Sequence, residues 1–133
     1  MRSRSRQRRR EEGTSAIELV LYMPLLMIAI IITVQFALMY LGNQAVSAAA
    51  REASRTVRTT GDVPAATARG KQYAADLGRG LVDGVDVKFA FLNDDRDVRT
   101  VVTAQGPQLL PFIDPPQLSE EIEGPVEQFV EDQ

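Results

Sequence analysis

From Leu19 to Ala50 the chain places no charged residue, and from Leu19 to Leu41 nearly every position is apolar. About 20 such residues cross the core of a bilayer as a helix. Only Thr33 and Gln35 interrupt the deeper half, and Tyr22 and Tyr40 stand near the ends, where aromatic rings favour the membrane–water boundary. A cleaved secretory signal has a shorter apolar region, about 7–15 residues, ahead of a small-x-small site. The stretch AVSAAA (45–50) supplies small residues, but the run before it is too long. The pattern predicts a spanning helix. Its continuation, NQAVSAAAREASRTVR (43–58), is rich in helix formers and free of proline and glycine. Ala45, Ala49, Ala53 and Val57 recur there at a four-residue step, a small-residue stripe suited to helix packing. Arg51, Glu52, Arg55 and Arg58 fall mostly off the stripe and suit water, with Glu52 in reach of Arg55 at i,i+3. One helix from about Ser15 to Arg58 is then about 65 Å long.

After Arg58 the period changes. TTGDVP (59–64) breaks the rod, Asp62 caps a second helix, and Pro64 sits in its first turn. AATARGKQYAADLGRG (65–80) reads as that helix, with Ala68, Tyr73 or Ala75, and Leu77 turned inward and Gly78 and Gly80 at its end. VDVKFAFLN (85–93) alternates, placing Val85, Val87, Phe89 and Phe91 on one face and Asp86, Lys88 and Ala90 on the other. NDDR (93–96) is a turn, and DVRTVVTAQ (97–105) returns with Val98, Thr100, Val102 and Ala104 on one face. GPQLLPFIDPP (106–116) is a loop, because four prolines forbid regular structure. QLSEEIE (117–123) adds an edge strand ahead of an acidic tail. The fold class expected is α+β: a long N-terminal transmembrane helix continuing outside the membrane, then a short helix packed on a small antiparallel sheet. The expected division is a leader at 1–13, the long helix at 14–58, and an extracytoplasmic domain at 59–133.

Charge orients this arrangement. Before Gly13 six arginines stand against Glu11 and Glu12, a local +4, whereas from Arg51 onward nine basic residues face fifteen acidic ones, a local −6. Arginines beside a span hold that end in the cytoplasm, so the acidic remainder lies outside the cell membrane. RSRSRQRRR also has the composition of a nucleic-acid-binding arm. It abuts the span, however, and no aromatic residue interleaves it, so nucleic acid is not the expected partner. The 133 residues leave roughly 80 outside the apolar run, a marginal core on its own. Cysteine and histidine are both absent, which removes disulfides, thiolate chemistry, and the commonest general base and metal ligand. Asp83, Asp86, Asp94, Asp95 and Asp97 lack the spacing of a calcium-binding EF-hand loop. With no nucleophile–base pair or phosphate loop either, no catalytic residue, metal or cofactor is expected.

Glu18 is the anomaly, a carboxylate at the mouth of the greasy run. At mid-bilayer it costs about 2.5–3.5 kcal/mol on insertion scales, and less near the interface, where it can snorkel. A functional role requires a cationic partner. If the chain is cut after Gly13, Thr14 becomes a free ammonium and Glu18 the fifth residue, on the same helical face. The carboxylate then pairs with its own terminus or with that of a neighbouring subunit. Pro24 removes one helical hydrogen bond; it either reflects the general tolerance of membrane helices for proline or builds in a bend for leaving the bilayer.

Gly13 followed by TSAIE resembles a prepilin peptidase site of type IV pilin-like proteins. The longer run from Gly13 to Val57 resembles the TadE-like family of minor pilins or pseudopilins of the tight-adherence (Tad) pilus. The matching positions are Gly13, Glu18, Pro24 and Ala49–Arg51–Glu52–Ala53–Arg55, with a weaker echo in the tail phrase EGPVEQFV. Where many members carry a second glutamate this chain has Gln35, and Leu19 follows Glu18 where major Tad pilins favour tyrosine. The resemblance implies cleavage between Gly13 and Thr14 by prepilin peptidase and assembly with other Tad pilins. Helix packing through Ala45, Ala49 and Ala53 would give a membrane-bound oligomer without enzymatic activity. The alternative is an uncleaved single-pass anchor displaying a small binding domain.

Overall fold

A computed structural model describes residues 4–127, with side chains from 15 onward; the tail from 128, including most of the expected acidic end, lies outside the described residues. The chain divides into two compact units, Met1–Val34 and Gln35–Gln133, and the long helix α1 (Arg4–Thr60) contributes to both. The helix begins earlier than the expected Ser15 because the leader is itself built of good helix formers, arginine, glutamine and glutamate. It stops two residues past Arg58. There Gly61 adopts φ +67°, and its N–H donates to the Val57 carbonyl at 2.9 Å, a left-handed cap that a β-carbon would oppose.

Helix α2 (Val63–Leu77) follows at once. Asp62 caps it, its carboxylate accepting from the Ala65 N–H at 3.0 Å, with Pro64 in the first turn and Gly78 at the far end. Its inward face is not the expected one. Ala66, Gly70 and Ala74 are buried, while Ala68, Tyr73, Ala75 and Leu77 are exposed. The reason is how closely α1 and α2 approach. A β-carbon on Gly70 would stand 3.0 Å from the Ala53 β-carbon, and one on Gly78 would stand 3.2 Å from that of Ala45. No large side chain fits such a seam, so α2 turns its small residues inward at the same four-residue step as α1. Glu52 pairs across to Arg69 of α2 at 3.4 Å, whereas the expected partner Arg55 is exposed to solvent.

Three antiparallel strands, β1 (Asp83–Leu92), β2 (Asp97–Gln105) and β3 (Gln117–Pro125), form a sheet with β2 at its centre. The hairpin closes through the expected NDDR turn, in which Asn93, Asp94 and Asp95 all take positive φ, as short polar residues tolerate. Val98, Thr100, Val102 and Ala104 form the buried face of β2 as the alternation requires, flanked by Val87 and partly buried Phe89 of β1 and by Leu118 of β3. Phe91, assigned to the same face, lies near the end of β1 and remains 41% exposed. On the opposite face Arg99 bridges Glu121 at 3.0 Å and Glu123 at 3.1 Å. Val46, Ala49, Ala50 and Ala53 of α1 pack with Ala74 of α2 onto the sheet. A second cluster joins Val57, Ala66 and Val98. Arg58, expected to face water, instead donates to the Pro125 carbonyl at 2.6 Å with its guanidinium over Gly124. That contact fastens the end of β3 to the end of α1.

This core of valine and alanine also encloses two hydroxyls, of Ser54 and Thr100, that have no hydrogen-bond partner among the described residues. An unsatisfied buried hydroxyl costs about 1–3 kcal/mol. Thr100→Val keeps the shape and removes the hydroxyl, so urea unfolding of the detergent-solubilised protein is expected to shift upward by about 1 kcal/mol. A lower midpoint would mean that the hydroxyl is satisfied.

Candidate functional site

The residues singled out along α1 fall into two groups. The first lies in Met1–Val34. The most apolar stretch of α1 is long enough to cross a bilayer and has none of its residues buried, and Ile17, Leu19, Val20 and Leu21 are each at least 60% exposed. Glu18 projects from this apolar surface, itself exposed, and makes no ion pair among the described residues. Gly13 and Thr14 fall within the helical backbone of α1, while their side chains lie outside the described residues. Thr14 thus stands four residues before Glu18 on a helix, the i,i+4 relation that puts two positions on one face. α1 continues unbroken through Pro24, which has no N–H to donate toward Val20.

The second group belongs to Gln35–Gln133. Ala45, Ala49 and Ala53 are buried to 3% exposure or less. The stripe does admit a close helix, but that helix is α2 of the same chain, and this face of α1 is therefore already occupied. Gly42 extends the close packing: a β-carbon there would stand 3.0 Å from a Leu118 methyl group.

Gln35 has a role that the sequence pattern did not reveal. Its side-chain amide donates to the Pro107 carbonyl at 2.7 Å, and its side-chain oxygen accepts from the Leu109 N–H at 3.1 Å. Both ends of one amide thus hold the backbone of the 106–116 loop. A lone amide in an apolar run, together with a loop whose backbone groups lack ladder partners, is the signal that could have paired them. Beside this clamp Gln35, Met39, Leu109, Leu110 and Ile113 line a cavity of about 230 Å³.

Compared with known families, residues 13–55 match the TadE-like proteins. The chain carries a TadE-like segment. No curated protein and no solved structure matches the chain. The TadE-like segment contains Gly13, Glu18, Pro24, Gln35 and the alanine stripe, and it ends five residues before the close of α1. The match associates the chain with the Tad pilus and with assembly among its components. The α2 helix and the sheet lie beyond the matched residues.

Proposed function

We propose that the protein is a pilin-like minor subunit of a Tad-type pilus that acts by packing and catalyses nothing. It is inserted with the arginine-rich leader in the cytoplasm, clipped after Gly13 by prepilin peptidase, and held in register by Glu18. The observation carrying this reading is Glu18 itself, the one charged side chain between Ser15 and Ala50, exposed on an apolar helix surface among the described residues. A carboxylate in that position gains from an ammonium delivered beside it, and cleavage before Thr14 delivers one. Gly13 suits the cut, because glycine is the weakest ordinary residue in a helix and eases the local unwinding that access to the bond requires. The buried alanine stripe bears on how subunits meet. With Ala45, Ala49 and Ala53 committed to α2, contacts between subunits fall to the apolar surface of α1 nearer its N-terminus, around Glu18 and Pro24. Pro24 leaves the Val20 carbonyl without its usual partner, a local weakness at which the helix can bend on passing from bilayer to filament.

The mature terminus decides between this reading and an uncleaved anchor. Intact mass spectrometry of the protein extracted from its host membrane is expected to give a chain beginning at Thr14. A full-length chain carrying the leader would leave Glu18 without its ammonium and would favour the anchor.

A further inference from the structure

The connection between β2 and β3 is far longer than adjacent antiparallel strands need, and its composition is unusual for a loop. GPQLLPFIDPP (106–116) carries a single charge, Asp114. It also presents Phe112, 95% exposed and the most exposed large apolar side chain among the described residues, with Ile113 at 60% and Leu109 at 45%. The loop is nevertheless ordered from within. The Gly106 N–H donates to the Pro116 carbonyl at 2.7 Å and closes the neck, and the Gln108 side chain donates to the Ile113 carbonyl at 2.7 Å across the middle. Gln35 then fixes it to α1. A loop built to hold its own backbone while turning its greasy side chains outward requires an apolar cover.

The position of the clamp identifies that cover. Gln35 lies inside the apolar run, and about 20 residues counted from Leu19 end near Leu38. The loop is thus tied to α1 within about one helical turn of the level where the span meets the outer boundary of the bilayer. Around the same level of α1, Phe36 and Tyr40 are each 66% exposed and Leu41 is 50% exposed. The loop's irregular backbone sets the depth. Carbonyls without partners do not enter hydrocarbon, so the segment rests among headgroups while its side chains reach about 5–10 Å inward. We propose that the 106–116 loop is a membrane foot, seating Leu109, Phe112 and Ile113 in the outer interface of the bilayer that α1 spans. This rests on the membrane-inserted reading above. Two points of contact, helix and foot, fix the rotation of the outer unit on the membrane as one helix alone does not. The loop has no basic residue, so insertion is apolar and a zwitterionic lipid suffices.

The chain contains no tryptophan, which makes a single introduced one a unique reporter. The full chain carrying Phe112→Trp is reconstituted into phosphatidylcholine vesicles, with bromine placed either high on the acyl chain or near its terminal methyl. The expected result is at least about twofold quenching by the shallow label, exceeding that by the deep one. Phe91→Trp, on the sheet, is expected to respond to neither, and Ile28→Trp, in the apolar run, mainly to the deep label. Adding Gln35→Ala to F112W is expected to lower the shallow quenching; no change would remove the clamp from the account. Should the I28W reporter be quenched while the F112W reporter is not, the foot is overturned and the span stands. If neither is quenched, the membrane reading falls with it. An F112W reporter shielded from both lipid and aqueous iodide also overturns the foot, since protein and not lipid would then cover it.

Discussion

Glu18→Ala is expected to abolish Tad filaments on the cell surface while leaving the amount of protein in the membrane unchanged or raised. The two effects have opposite signs because they draw on different terms. Removing a carboxylate from the edge of the span makes insertion easier, by up to about 3 kcal/mol were it at mid-bilayer and by less at the interface. Removing one partner of an ion pair shielded from water costs about 3–5 kcal/mol, because the other charge is left buried without compensation. That penalty corresponds to more than about a hundredfold in the affinity of one subunit for the next. Glu18→Gln keeps the length and the hydrogen-bonding capacity but not the charge, and is expected to assemble almost as poorly as the alanine variant. Sheared filaments and membrane fractions from the same cells, compared by immunoblot, read both quantities at once. Normal filaments from Glu18→Ala cells would remove the ammonium pairing from the mechanism.

The elements were legible wherever one local pattern settled them. The charge-free run from Leu19 lies within one continuous helix, as its composition requires, and that helix is long and apolar enough to cross a bilayer. The strict alternation in β2 put Val98, Thr100, Val102 and Ala104 on the buried face observed. What misled was size. In α2 the large residues Tyr73 and Leu77 attracted the inward assignment, yet the helix seam excludes them, and the burial follows Ala66, Gly70 and Ala74. Pattern reading weighs hydrophobicity, while the packing here is limited by the distance between two helix axes. The partner of α2 had to be known before the smallness of its residues could be read as an inward face. The alanine stripe posed the converse difficulty: its spacing announces a close helix contact without naming the helix. Gln35 was hidden for a third reason. Its partners are backbone groups more than seventy residues away in an irregular loop, and no periodicity links them. Glu18 was visible as an anomaly from the sequence alone, since a charge in an apolar run requires an explanation whatever the fold.

The seam between α1 and α2 yields the second large effect. Ala53→Leu is expected to lower the unfolding free energy of the protein in detergent by about 3 kcal/mol, at the upper end of what overpacking costs. The Ala53 β-carbon already stands 3.0 Å from where a β-carbon on Gly70 would lie, so three further carbon atoms must displace α2 outright. Displacing α2 uncovers Ala49 and Ala74 and opens the cluster that holds Val87 and Val102. A domain with so few large buried side chains has little surplus to absorb this. Arg55→Leu places a leucine two residues on, at an exposed position, and is expected to change stability by no more than about 0.5 kcal/mol. A reciprocal exchange makes the test specific. Gly70→Ala alone drives two β-carbons together, and pairing it with Ala53→Gly returns the space while moving the methyl group to the other helix. The double variant is therefore expected to be more stable than Gly70→Ala alone, despite the roughly 1 kcal/mol that glycine costs within α1. Circular dichroism during urea unfolding compares all four variants with the parent. If Ala53→Leu instead unfolds like the parent and fails only in filament assembly, the stripe faces a neighbouring subunit, and the intramolecular seam is not the contact it serves.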